Sequence, residues 1–144
     1  MTGDINIFRC NFDFLSNFYN APFYFNSIRF ENAEAAFQAQ KEPARTKEFE
    51  KLTGSEAKRL GRRVNLRSDW NAVRVNIMQQ IVLEKFTQNN NLAERLMRTQ
   101  DRKLIEGNAW NDTFWGVCNG RGQNKLGVIL MTVRDNLNER RGLL

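Results

Sequence analysis

Two apolar stripes with a helical period constrain the fold more than any other feature of the chain. From about Asn124 onward, Leu126, Ile129, Leu130, Val133 and Leu137 recur at intervals of three and four residues. After Ser68, a longer stripe runs through Trp70, Val73, Ile77, Ile81 and Phe86, helped by Met78 and Val82, with Arg74, Asn76, Gln80 and Glu84 on the polar side. A spacing near 3.6 residues matches a helix and not a strand, whose side chains alternate with a period of two. Each stripe therefore demands a helix, and each helix needs an apolar surface to lie against. The 144 residues suit one domain spanning 1–144, long enough to bury roughly two thirds of its unfolded surface without staples.

Shorter signals fill in the remainder. Asn32 is a candidate helix cap, followed by Ala33, Ala36, Phe37 and Gln40 on one face and Glu34, Gln38 and Lys41 on another. Pro43 ends or interrupts that helix. Thr53-Gly54-Ser55-Glu56 spells a capping box for a short helix running to Leu60 and stopping near Gly61. The polar run 88–91 breaks the long helix, and Leu92, Ala93, Leu96 and Met97 mark another short one. Ile5 to Cys10 and Tyr24 to Phe30 read as short strands, with a turn-rich loop from Phe14 to Pro22 between them. Leu104 to Glu106 reads as a further brief strand, and Gly107 to Gln123 as irregular. The expected fold class is α+β: a compact, mostly helical single domain with short N-terminal strands.

Charge and residue usage narrow the chemistry. Lys and Arg number 22 against 16 Asp and Glu, a net charge of +6. That field favours an anionic partner such as a nucleotide, a sugar phosphate or nucleic acid. With no histidine in the chain, any catalysis falls to carboxylates, Lys, Arg, Tyr, Cys, hydroxyls or amides. A zinc site would rest on two cysteines from opposite ends of the chain, so no metal and no cofactor is expected. Cys10 and Cys118 form no disulfide framework and are expected to be buried free thiols in a reducing compartment. No apolar run reaches the length of about 18 residues that a membrane span needs, and Met1-Thr2-Gly3-Asp4 does not resemble a secretory leader. The expectation is a cytoplasmic protein with no membrane partner.

Three groups of residues could carry chemistry. Between Glu106 and Gly116, two carboxylates (Glu106 and Asp112) lie among two asparagines, Asn108 and Asn111, and two tryptophans, Trp110 and Trp115. Such a loop can set an acid beside a flat ring on which a base or sugar stacks. Equally, it can be a surface loop whose tryptophans fill the core while its acids face water. Glu34, Gln38 and Lys41 share one helical side and can aim an acid, an amide and a cation into a pocket, or can form an ordinary solvated face. Lys58, Arg59, Arg62, Arg63, Arg67 and Arg74 include candidates for holding phosphate, although most basic side chains are simply solvated. The stretch 120–124 precedes a helix and could receive an anion on free backbone amides, but it lacks the ending of a P-loop. Cleavage of an N-glycosidic bond would need nothing absent here. A carboxylate stabilises the charge building on the sugar ring or deprotonates water, and amides and rings hold the departing base.

Taken in order, several stretches resemble the NADAR family, also called the YbiA-like N-glycosidases. They are Phe14-Leu15-Ser16-Asn17-Phe18-Tyr19, Glu34 through Lys41, Gly61-Arg62-Arg63-Val64 and Leu66-Arg67-Ser68-Asp69-Trp70. Further along come Arg74 with Met78, Lys85-Phe86, Leu104-Ile105-Glu106, Asn108-Ala109-Trp110-Asn111-Asp112 and Phe114-Trp115-Gly116, then Asn124, Leu126-Gly127, Leu130-Met131 and Val133-Arg134. The resemblance implies a compact α+β fold and hydrolysis of N-glycosidic bonds. Its substrates would be phosphorylated ribosylamino-pyrimidine intermediates of riboflavin synthesis, releasing ribose 5-phosphate. Two alternatives go with it: removal of ADP-ribose from guanine in nucleic acid, and a silent module that only binds ADP-ribose or a nucleotide. Carried over by position, Glu34 and Asp112 are the leading catalytic carboxylates, with Lys41 supporting them or binding phosphate and Glu106 as a second-rank acid. Trp70 and Trp110 would stack or shape the pocket, and Asn17, Arg62, Arg63, Arg67 and Asn108 would contact phosphate or ribose. The resemblance departs at Ala35-Ala36, where relatives often carry a histidine and an aromatic, so the wall beside Glu34 should be smaller and less polar.

Overall fold

The computed structural model describes residues 3–142. Its fold is α+β and mostly helical, with short strands near the N-terminus. The described residues divide into two compact units, one of residues 17–89 and the other built from residues 3–16 and 90–142.

In the unit of residues 17–89, the segment expected as one strand is a hairpin. Strand β1 (Phe23–Phe25) pairs antiparallel with β2 (Ile28–Phe30), Phe23 opposite Phe30. Asn26 and Ser27 both take positive φ, at 51° and 68°. That is the backbone of a two-residue turn whose twist matches the strands. Asparagine tolerates this region better than most residues, and the turn leaves Phe23, Phe25 and Phe30 on the buried side. Helix α1 (Ala33–Ala39) follows, with the Asn32 side chain accepting the N–H of Ala35 at 2.8 Å, as its sequence promised. A 3-10 helix starts at Pro43 and runs to Phe49. Helix α2 (Gly54–Gly61) opens with the full capping box: Thr53 accepts from the Glu56 N–H, and the Glu56 carboxylate accepts from the Thr53 N–H. Helix α3 (Trp70–Gln88) is the long one and ends at Gln88, with Asn89 as a single residue of break after it. Its buried side holds Trp70, Met78, Ile81, Val82 and Phe86, but Val73 and Ile77 are only partly covered. The stripe also includes Lys85, 1% exposed, with its ammonium 5.9 Å from the Tyr19 ring centre.

In the other unit, the expected strand Ile5 to Cys10 shrinks to one parallel bridge. The Ile5 N–H donates to the Lys103 carbonyl at 2.8 Å, and the Ile105 N–H donates to the Ile5 carbonyl at 2.8 Å. Cys10 has φ of 54° and begins a 3-10 helix, Cys10–Leu15, where a strand and then a loop were expected. Cys10 is also exposed, against the expectation of a buried thiol, whereas Cys118 is buried. Helices α4 (Asn90–Met97) and α5 (Lys125–Arg140) pack together. The anticipated stripe of Leu126, Ile129, Leu130, Val133 and Leu137 is buried, and so is Arg134. Its guanidinium donates to Thr99 Oγ1 and to the Arg102 carbonyl, each at 2.8 Å. Among the described residues, no helix is long and apolar enough to cross a membrane.

Candidate active site

Helix α1 carries the first group of candidate residues. All seven of its residues are buried, so the side bearing Glu34 and Gln38 is not a solvated face. Glu34 keeps 9% of its surface and Gln38 6%. Four residues apart on a helix, the two side chains meet: Gln38 Nε2 donates to Glu34 Oε2 at 2.7 Å. The Glu34 N–H donates to the Asn17 carbonyl at 2.9 Å, which ties the first turn of α1 to the preceding segment. The Asn17 side chain is buried too, and its amide points at Met78 Sδ, 3.4 Å away.

Lys41 lies in a turn two residues past the end of α1 and is partly buried. Burial pushes its ammonium below the ordinary value of 10.5, the Glu34 carboxylate opposes that shift, and the Arg62 and Lys58 charges reinforce it. Lys41 is thus within electrostatic reach of one acid and two further cations. Its Nζ lies 6.0 Å from the Trp70 ring centre. Trp70 is buried, with its ring 5.0 Å from that of Phe37 and tilted by 49°. It is a wall of this cluster and not an open stacking face.

The arginines divide in two. Arg67 is already engaged: its guanidinium grips Asp69 with two bonds of 2.6 and 3.0 Å, and its backbone N–H donates to the Lys41 carbonyl. Arg62 and Arg63 are exposed at the end of α2. Among the described residues, neither these two nor Lys58 and Arg59 take part in a salt bridge or a side-chain hydrogen bond. Arg59 feels the Glu56 carboxylate one turn away, and positive charge that is not held in a close ion pair is open to an anionic ligand.

The second group, in the other unit, is a loop folded around Asn108. That side chain donates to the carbonyls of Asp112 at 2.8 Å and Val117 at 3.3 Å. It accepts from the N–H groups of Trp110 at 3.2 Å and Asp112 at 3.0 Å. Asp112 Oδ1 in turn accepts from the N–H groups of Phe114 at 3.2 Å and Trp115 at 2.9 Å. Both side chains thus hold the loop in shape, a role its composition did not reveal. Trp110 stands at the loop's tip, 60% exposed, and neither tryptophan is in the buried core: Trp115 is half-buried, edge-on to Phe114. Glu106 is also half-buried, and its N–H donates to Asn124 Oδ1 at 2.9 Å. The stretch before α5 offers no capping side chain to that helix, because Asn124 turns its amide to Glu106 and Leu104 instead.

Sequence reasoning missed one residue here. Gly61 was read as the stop of α2, which does end there with Arg62 as its cap, but its approach to Gln38 was not read. A Cβ at position 61 would lie 2.0 Å from Gln38 Oε1. A glycine inside the last turn, and not one step past it where glycine is favoured, was the available signal.

A model of the NADAR domain matches residues 8–138. The chain is 39% identical over 135 residues to a riboflavin biosynthesis protein of Vibrio vulnificus, covering 90% of this chain and 36% of that protein. It is 42% identical over 88 residues to an N-glycosidase of Nostoc punctiforme, covering 59% of this chain and 56% of that one. The chain thus spans about a third of the first of these relatives and just over half of the second. Against N-glycosidase YbiA of Escherichia coli, identity is 32% over 141 residues, covering 92% of this chain and 88% of YbiA. The NMR structure of YbiA superposes with a TM-score of 0.85 at 30% identity, covering 98% of this chain and 89% of that one.

Proposed function

This chain belongs to the NADAR domain family, and on that premise we propose that it is a hydrolase of an N-glycosidic bond. Its substrate is a phosphorylated N-riboside of the ribosylamino-pyrimidine type met in riboflavin synthesis, and its sugar product is ribose 5-phosphate. The observation that carries this reading is the buried Glu34 carboxylate, held by an amide N–H and within electrostatic reach of Lys41, which in turn feels the charges of Arg62 and Lys58. An acid placed among cations has little use in a pure phosphate binder, where it would repel the ligand. In a glycosidase it has a task. Water adds to the anomeric carbon and gives up a proton, while the carbon–nitrogen bond breaks and its electron pair leaves with the base, which takes a proton. Glu34 serves as the group that accepts the proton of water or offsets the positive charge on the ring. Lys41 and Arg62 hold the phosphate. The names of the relatives support the same reaction class.

Asp112 is proposed as the second carboxylate, Glu106 as an orienting acid, and Trp110 as the ring on which the base stacks. Arg63 would add to phosphate binding. Arg67 and Asn108, whose side chains already have partners, would act on the substrate only by placing their neighbours. A second reading, removal of ADP-ribose from guanine in nucleic acid, draws on Lys58, Arg59, Arg62 and Arg63, none of them in a close ion pair, and on the net charge of +6.

The test is a release assay on purified protein without added metal, offering the ribosylaminopyrimidine phosphate and, separately, DNA carrying ADP-ribosylated guanine. We expect release of ribose 5-phosphate from the first. Glu34→Gln should slow it by about 100-fold or more while the substrate still binds. Full activity in that variant removes Glu34 from the mechanism. Binding without release from either substrate leaves a module that only recognises its ligand.

A further inference from the structure

We propose that Gln38 is the positioning residue of Glu34, and that Gly61 is glycine because the Gln38 amide occupies the space a side chain would take. The proposal rests on the N-glycosidase reading above and goes one step further into the same cluster.

A glutamate side chain reaches its carboxylate through two methylenes and so has several rotamers to choose from. The bond from Gln38 Nε2 to Glu34 Oε2, 2.7 Å long, selects one of them and sets the plane of the carboxylate. A donor facing that oxygen suits the ionised form, which only accepts. Turning the amide over would set Gln38 Oε1 against the carboxylate, acceptor against acceptor. The amide holds its orientation at a cost. Oε1 is enclosed and accepts no hydrogen bond among the described residues, and a buried acceptor without a partner opposes folding. A position whose only task was packing would be better filled by an apolar side chain of the same size. The half-satisfied amide therefore marks a function for its other end.

Gly61 supplies the second, independent observation. A Cβ there would fall 2.0 Å from Gln38 Oε1 and 2.8 Å from its Cδ. Alanine is the better helix former, and Ala57, one turn earlier, is buried without difficulty. What excludes alanine at 61 is the amide itself. Shifting the amide would break its hold on Glu34.

The experiment compares wild type, Gln38→Ala, Gly61→Ala and the double variant for kcat and KM of release, with thermal melting to confirm folding. We expect each single variant to lose roughly tenfold or more in kcat, with KM changed by less than about twofold, as misplacement of a reacting group predicts. Adding Gly61→Ala to Gln38→Ala should cost nothing further, because the atoms it displaces are gone. Losses that multiply, or a Gln38→Ala enzyme with wild-type kcat, overturn the proposal and leave the functional reading standing. A second measurement needs no substrate: the side-chain amide resonances of Gln38 should move in Glu34→Ala and in Gly61→Ala. If both variants leave them unmoved, the contact is absent and the proposal fails whatever the rates. A wild type that releases nothing would sink the glycosidase reading instead, and the amide resonances would still decide whether Gln38 holds Glu34.

Discussion

Lys41 is the residue through which the charge around Glu34 can be read. Burial lowers its pKa from 10.5, and repulsion from Arg62 and Lys58 lowers it further against the pull of Glu34. If the protonated ammonium holds the phosphate, kcat/KM should fall on the alkaline side with a limb below 10.5. Removing a neighbouring positive charge relieves part of the repulsion and raises the Lys41 pKa. Arg62→Met should therefore shift that limb to higher pH, whatever it does to the plateau. A limb that stays in place, or moves to lower pH, contradicts the arrangement. The sign for stability is linked to the same shift. Between the lowered folded value and 10.5 the unfolded chain binds more protons at Lys41, so this group's contribution to stability rises with pH across that window. The pairing of Glu34 with Gln38 was readable in the sequence, since an offset of four residues fixes a shared side of a helix, whereas Lys41, expected on that side, lies two residues beyond the end of α1. That this side is buried was not readable, because burial depends on α2 and on the segment before α1.

Among elements, the loop from Glu106 to Gly116 separates structural from chemical roles. Asn108 makes three hydrogen bonds within it and a fourth to Val117 just beyond. Asn108→Ala strands several of those backbone groups at once and should lower stability by about 2 kcal/mol, read from denaturant unfolding. Asp112→Asn keeps an oxygen for the N–H groups of Phe114 and Trp115 and should melt close to wild type. Its loss of release, again about 100-fold or more if the charge takes part, then reports chemistry alone. An Asp112→Asn enzyme with wild-type rates assigns Asp112 to loop geometry only. The capping box at Thr53 and the Asn32 cap were legible because donor and acceptor lie three residues apart. The strand expected from Ile5 to Cys10 was not, since its partner is nearly a hundred residues away at Leu104 and only one bridge forms. Nor was the hairpin turn at Asn26-Ser27, where the left-handed backbone is adopted by a pair without glycine.

For the whole molecule, the net charge of +6 supplies a test between the two substrates. A small riboside with one phosphate releases few counterions on binding, whereas a nucleic acid releases many. Raising KCl from about 50 to 200 mM should lower kcat/KM for the riboside by no more than a few-fold. A nucleic-acid substrate should lose about a hundredfold or more over the same range. A steep loss with the riboside would show that its binding depends on far more charge than one phosphate carries. Family membership was legible in the sequence because it is spread over many short stretches in fixed order, and the matched segment of residues 8–138 contains every one of them.

What the sequence determined by itself is whatever closes within a few residues: the helical stripes of α3 and α5, the caps at Asn32 and Thr53, and the breaks near Pro43 and Asn89. These follow from the backbone geometry of one helix turn. Only the tertiary structure decided where the chain approaches itself. Gly107 and Gly127 had to be empty because the carbonyls of Asn6 and Leu104 each come within 2.1 Å of where a Cβ would stand, and Gly61 faces the amide that α1 sends toward it. Asn124 gave up capping α5 to bind Glu106 and Leu104. Each of these depends on atoms brought together by folding, and the identity of a residue carries no record of what will press against it.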